Sequence, residues 1–181
     1  MSVWMLRPRY LEYIHDALVS ILWSGSEPIG ERELESNNHA LIESAAARPF
    51  QTVLGQDAYP TIIEKGVALF HSINANHAFM NGNKRTAVIA IDHFLTANDH
   101  ILLLENDEMY AIAEKTAAYK SRGLSQDQSL AEILEALEEN IVEVDIVERA
   151  VGTQPQFLKT IQNFRAIRDL VRRGCEEMRD K

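Results

Sequence analysis

The chain has 181 residues, 46% of them hydrophobic and 25% charged, and a formal net charge of −9. That length suits one domain with a sizeable core, and the negative charge argues against a general binder of nucleic acid or anionic membrane. A single cysteine, Cys175, excludes an internal disulfide and a cysteine-built zinc site, and is expected to be an incidental surface or half-buried thiol.

The pattern is mostly helical, and an all-α bundle is the natural assembly. Residues 10–23 place Leu11, Ile14, Leu18, Ile21 and Leu22 on one face, with Gly25 as the stop. A second helix is expected near 38–48, with Leu41, Ile42 and Ala45 inward and Pro49 ending it. Residues 50–58 read as a non-helical excursion, a short hairpin or flap. Tyr59-Pro60 opens a third helix with proline in its first turn, and Ile63, Val67, Phe70 and Ile73 form its buried stripe.

Residues 84–97 are apolar nearly all round, which predicts a central helix ending at Asn98. Ile101-Leu102-Leu103-Leu104 fits a short strand or a helix edge. Further helices are expected near 107–120 and 127–140, the latter capped by the Ser125-x-x-Gln128 box. Ile141–Val147 fits strand or helix. Phe157, Ile161, Phe164, Ile167, Leu170 and Val171 recur at helical spacing, which predicts a last helix packed on the bundle or pairing in a dimer. The alternative is a regulatory or partner-docking helix. No window approaches the apolar length of a membrane span, and the opening residues lack a signal-peptide core. The expectation is a cytoplasmic protein without membrane contact.

The chemistry concentrates in His77-Ala78-Phe79-Met80-Asn81-Gly82-Asn83-Lys84-Arg85-Thr86. A helix starting near Asn83 or Lys84 presents its first N–H groups and the positive end of its dipole to an anion. Gly82 permits a close backbone approach. Asn83 suits a helix cap or a phosphate donor. Lys84 and Arg85 supply cationic donors, Arg as a planar fork. Two cations at a helix start are otherwise unfavourable, and a bound phosphate removes that penalty. His77 is the type of side chain that takes a proton from a hydroxyl near neutral pH. Phe79 is expected to point into the core. The spacing is not that of a P-loop, since Asn83 separates Gly82 from Lys84. His15, His39, His71, His93 and His100 are read as structural, and no zinc pattern is present.

This run resembles the signature of the Fic/Doc family, H-P-F-x-[DE]-G-N-[GK]-R, and its Asn83-Lys84-Arg85-Thr86-Ala87 ending resembles the Doc (death-on-curing) branch. Ala47–Thr52, Tyr59-Pro60-Thr61 and Glu64-Lys65 are also similar to that branch, and the likeness covers roughly residues 5 to 140. The resemblance implies a helical bundle with a short flap, a domain over residues 1–140, and a helical extension over 141–181. It implies a transferase with His77 as general base and Arg85 stabilising the transferring group. Gly82, Asn83, Lys84 and Arg85 would hold ATP. Mg²⁺ would be shared between the nucleotide and Asn81, which stands where most members carry an acid. Lysine at position 84 implies phosphoryl transfer to a protein hydroxyl, as in Doc toxins acting on elongation factor Tu. AMP transfer is the alternative. A weakened, regulatory pseudoenzyme is another, since a carboxamide binds metal less well than a carboxylate. A toxin of this kind implies a separate antitoxin chain, because the family's self-inhibitory [ST]-x-x-x-E-[GN] helix is missing: Glu135 stands four before Glu139.

Overall fold

The computed structural model describes residues 2–22, 36–151 and 155–178. Among these residues lie eight α-helices and two short antiparallel ladders. The first helix, α1 (Pro8–Leu22), buries Leu11, Ile14 and Leu18. Ile21 falls on the same face yet is 70% exposed, because periodicity identifies a face but not where its neighbours end. Gly25 and the side chains of Leu22 and Phe157 lie outside the described residues.

Next comes α2 (Ser36–Ala47), with Ile42, Ala45 and Ala46 buried. At Pro49 the chain tightens into a 3₁₀ turn, Arg48–Phe50, since proline has no N–H to continue the α-helical ladder. A hairpin follows: β1 (Thr52–Val53) pairs with β2 (Gln56–Asp57). Its two-residue turn, Leu54-Gly55, takes φ of 52° and 81°, the twist that suits a tight hairpin. The expected flap is therefore present.

The centre of the molecule is a pair of packed helices, α3 (Ile62–Asn76) and α4 (Asn83–Ala97), joined by six residues. Thr61, not Pro60, caps α3: its hydroxyl accepts from the Glu64 N–H, and Glu64 reaches back to the Thr61 N–H. The buried stripe expected on α3 is in fact an unbroken run from Lys65 to Asn74. Helices α2 and α4 and the 3₁₀ turn cover it from several sides, together with α5 (Asn106–Ala117) and α6 (Gln126–Glu138). On α4, Ala87, Ala90, Ile91, Phe94 and Leu95 are buried, as its composition predicts. The Ser125–Gln128 capping box opens α6 as expected.

Both ambiguous segments resolve through each other. β3 (His100–Leu102) pairs with β4 (Ile141–Glu143), Ile101 facing Val142. The chain then turns into α7 (Val144–Val151) and α8 (Pro155–Glu177). α8 packs on α4, burying Ile161, Val171 and Cys175. Ile167 and Leu170 instead stand 54% and 63% exposed. Cys175 is buried rather than half-exposed, and burial pushes its thiol up to about 12. Asp99, at φ 61°, accepts from Arg168 at 2.7 Å and Arg172 at 2.8 Å. Burial opposes ionisation of that carboxyl, but the two guanidiniums prevail and hold it below the usual carboxylate range. Arg172 also donates to the Ala97 carbonyl, at the negative end of α4. This latch sits about 22 Å from the start of α4, at 1.5 Å per residue. Among the described residues no helix is long and apolar enough to cross a membrane.

Candidate functional site

His77, Asn81 and Gly82 lie in the six-residue loop between α3 and α4, and Asn83, Lys84 and Arg85 form the first turn of α4. α3 stops because His77 takes a left-handed conformation, φ 49° and ψ 46°. Such backbone is uncommon outside glycine, though histidine is among the types enriched there. Ala78 and Phe79 then plunge into the core, 1% and 2% exposed, while His77 and Met80 face outward. Gly82, at φ 78°, reverses the chain again and caps α4. A Cβ there would strain the turn.

Asn83 holds this loop closed. Its Oδ1 accepts from the Phe79 N–H at 3.0 Å, and its Nδ2 donates to the Phe79 carbonyl at 2.8 Å. Gly82 is therefore the cap, and the Asn83 side chain is committed to the loop; any contact of Asn83 with a phosphate falls to its backbone N–H. The first intrahelical bond runs from Thr86 N–H to Gly82 carbonyl, at 2.9 Å. The amides of Asn83, Lys84 and Arg85 precede it and form the positive end of α4.

The two cations lean on α5. Lys84 Nζ donates to Glu114 at 3.1 Å and lies 5.4 Å from the Tyr110 ring centroid. The hydrogen bond to Glu114 raises its pKa. The Arg85 guanidinium lies 5.7 Å from the same ring. Beside it opens a cleft of about 360 Å³, lined by Arg85, Tyr110, Asn106, Asp107 and the apolar Leu18, Val88 and Ile89. Asn81 contributes one neutral oxygen type where a metal would prefer charge. Among the described residues no three His, Cys, Asp or Glu side chains gather to hold a metal.

Two supports escaped the sequence. His15, wholly buried on α1, stacks on Phe79 with ring centroids 4.2 Å apart and planes 4° apart. Its Nε2 lies 3.3 Å from the Asn81 carbonyl oxygen. The available signal was its place within the apolar stripe of Leu11, Ile14 and Leu18. Lys65, 3% exposed, anchors the flap: its ammonium donates to Asp57 at 2.8 Å, to the Tyr59 carbonyl at 2.5 Å and to the Pro49 carbonyl at 3.4 Å. One buried charge thus ties both legs of the hairpin to α3. The hairpin's tip stays outside, with Val53 63% and Leu54 100% exposed.

A family model described as Fic/DOC family matches residues 5–95, from the start of α1 almost to the end of α4. The Toxin Doc of Mycolicibacterium smegmatis is 45% identical over 78 residues, which cover 43% of this chain. The chain spans 59% of the length of that relative. No solved structure matches.

Proposed function

The chain belongs to the Fic/DOC family, and from that premise we propose that it is a toxin-like transferase moving the γ-phosphoryl group of ATP to a protein hydroxyl. One observation carries the reading. The 77–82 loop runs straight into the start of α4, so an exposed histidine at the end of α3 is followed within nine residues by a positive helix end and its two cations.

In this reading His77 takes the proton of the target hydroxyl. The hydroxyl oxygen bonds to the γ-phosphorus, the bond to the β-phosphate oxygen breaks, and ADP leaves. The amides at the start of α4 and the Arg85 guanidinium hold the charge that spreads over the transferring group. Mg²⁺, carried mainly by the nucleotide phosphates, would neutralise part of that charge, with Asn81 offering an oxygen. The flap is suited to pair an extended target segment along its edge. Elongation factor Tu is the candidate target, and a separate antitoxin chain the candidate partner. A cytoplasmic site of action follows from that target.

A second reading is favoured by Asn81, whose neutral oxygen holds a metal less well than a carboxylate: a pseudoenzyme that binds nucleotide and regulates a partner. Incubation with a lysate and ATP labelled at the α or γ position distinguishes these readings. Label passing from the γ position supports phosphoryl transfer, and label passing only from the α position replaces it with AMP transfer. Tight ATP binding without transfer from either position supports the pseudoenzyme.

A further inference from the structure

We infer that His15 is a positioning residue for the phosphate cradle: it locks the Asn81–Gly82 peptide so that the Gly82 N–H faces the anion. The inference rests on the phosphate-binding role proposed for this turn. Its physical basis is the planarity of the peptide bond. In a trans peptide the C=O and the following N–H point in opposite directions, and the described chain contains no cis bond.

The Asn81 carbonyl oxygen lies 3.3 Å from His15 Nε2. A carbonyl only accepts, so the contact is a hydrogen bond when Nε2 carries a proton. The neutral Nε2–H ring and the doubly protonated ring both meet that condition. With the opposite tautomer, two lone pairs would face each other. His15 is wholly buried, so the carbonyl it holds is turned toward the interior, and the Gly82 N–H on the same plane is turned away from it. Glycine makes this peptide easy to flip, since the residue after it has few steric restraints on either side. A flipped peptide would present a carbonyl oxygen to the anion and repel it.

The ring has a second contact that fixes its own placement. It lies parallel to Phe79 at 4.2 Å, and Phe79 is in turn held at both backbone atoms by Asn83. The Asp16 carboxylate lies 3.6 Å from His15 Nδ1. Stacking sets the ring plane, and the hydrogen bond sets the peptide plane. The two functions separate by substitution. His15→Phe keeps an aromatic ring against Phe79 and deletes the donor. His15→Gln deletes the stack and can return an N–H near the Nε2 position.

The test is calorimetric titration with inorganic tripolyphosphate, paired with thermal melting and with amide NMR of Gly82. The expected result is wild-type binding, roughly tenfold weaker binding by His15→Phe while its melting stays cooperative and well above the titration temperature, and recovery in His15→Gln. In the wild type the Gly82 amide resonance moves on titration; in His15→Phe it does not. Equal binding by wild type and His15→Phe would overturn the role of His15 while leaving the cradle intact. Absence of binding by the wild type would overturn the cradle reading and this inference with it. If His15→Phe does not fold, nitrogen NMR of the wild-type His15 ring decides: an Nε2 without a proton overturns the inference, and an Nε2–H slow to exchange, beside a Gly82 amide that shifts with tripolyphosphate, supports it.

Discussion

The Asn83 side chain grips Phe79 twice, accepting from its N–H at 3.0 Å and donating to its carbonyl at 2.8 Å. This one carboxamide replaces the ladder bonds that the chain loses between α3 and α4.

Replacing Asn83 by Ala leaves both buried backbone groups of Phe79 without their partner. Each such group costs about 1–3 kcal/mol, so the variant should lose roughly 2–6 kcal/mol in urea denaturation. ATP affinity should fall with it. A variant as stable as the wild type would show that the loop closes without the clip.

His77 carries both a backbone and a chemical demand. Its φ of 49° costs most residues about 1 kcal/mol. Asn tolerates that conformation and cannot act as the base. His77→Asn should therefore melt close to the wild type, while transfer of labelled phosphate drops by about 10²–10⁴-fold. Retained transfer would remove His77 from the mechanism.

His71 ties acid stability to α3. Burial, with Arg48 and then Lys120 nearby, lowers its pKa to about 4, against an ordinary value near 6.5. Between those values the unfolded chain binds a proton that the folded chain does not, so stability rises with pH. Acidification from pH 7 to 4 should cost up to about 3 kcal/mol from this residue. His93, whose pKa burial also lowers, adds to the same slope. Denaturation curves across this range should be flatter for His71→Phe; an unchanged slope would contradict the assignment.

Gly174 reverses a usual sign. Glycine to alanine inside a helix ordinarily stabilises by about 1 kcal/mol. Here a Cβ would come within 2.9 Å of the Tyr10 ring, which is 5% exposed, stacked on Tyr13 and hydrogen-bonded to His93. Gly174→Ala should therefore destabilise, and faster amide exchange along α8 should accompany the loss. A stabilised variant would mean that α8 rides higher on α1 than the contact implies.

The helices with strong periodicity, the flap, the α6 capping box and the whole 77–85 motif were legible from residue order alone, because each depends on neighbours a few positions apart. Local rules also mark Gly82 as a turn and Phe79 as a core residue. They do not reveal that Asn83 clips the loop rather than capping the helix, since a cap and a clip use the same carboxamide and differ only in the fold of four preceding residues.

Only the tertiary structure joined His15 to Asn81, 66 positions away, Lys65 to both legs of the flap, and Asp99 to two arginines on α8. It also paired β3 with β4, which settled two segments that each fitted strand or helix alone. The physical reason is common to all four. A polar group or an unpaired strand has several acceptable local states, and the partner that selects one comes from distant sequence, through burial that no short window of residues contains.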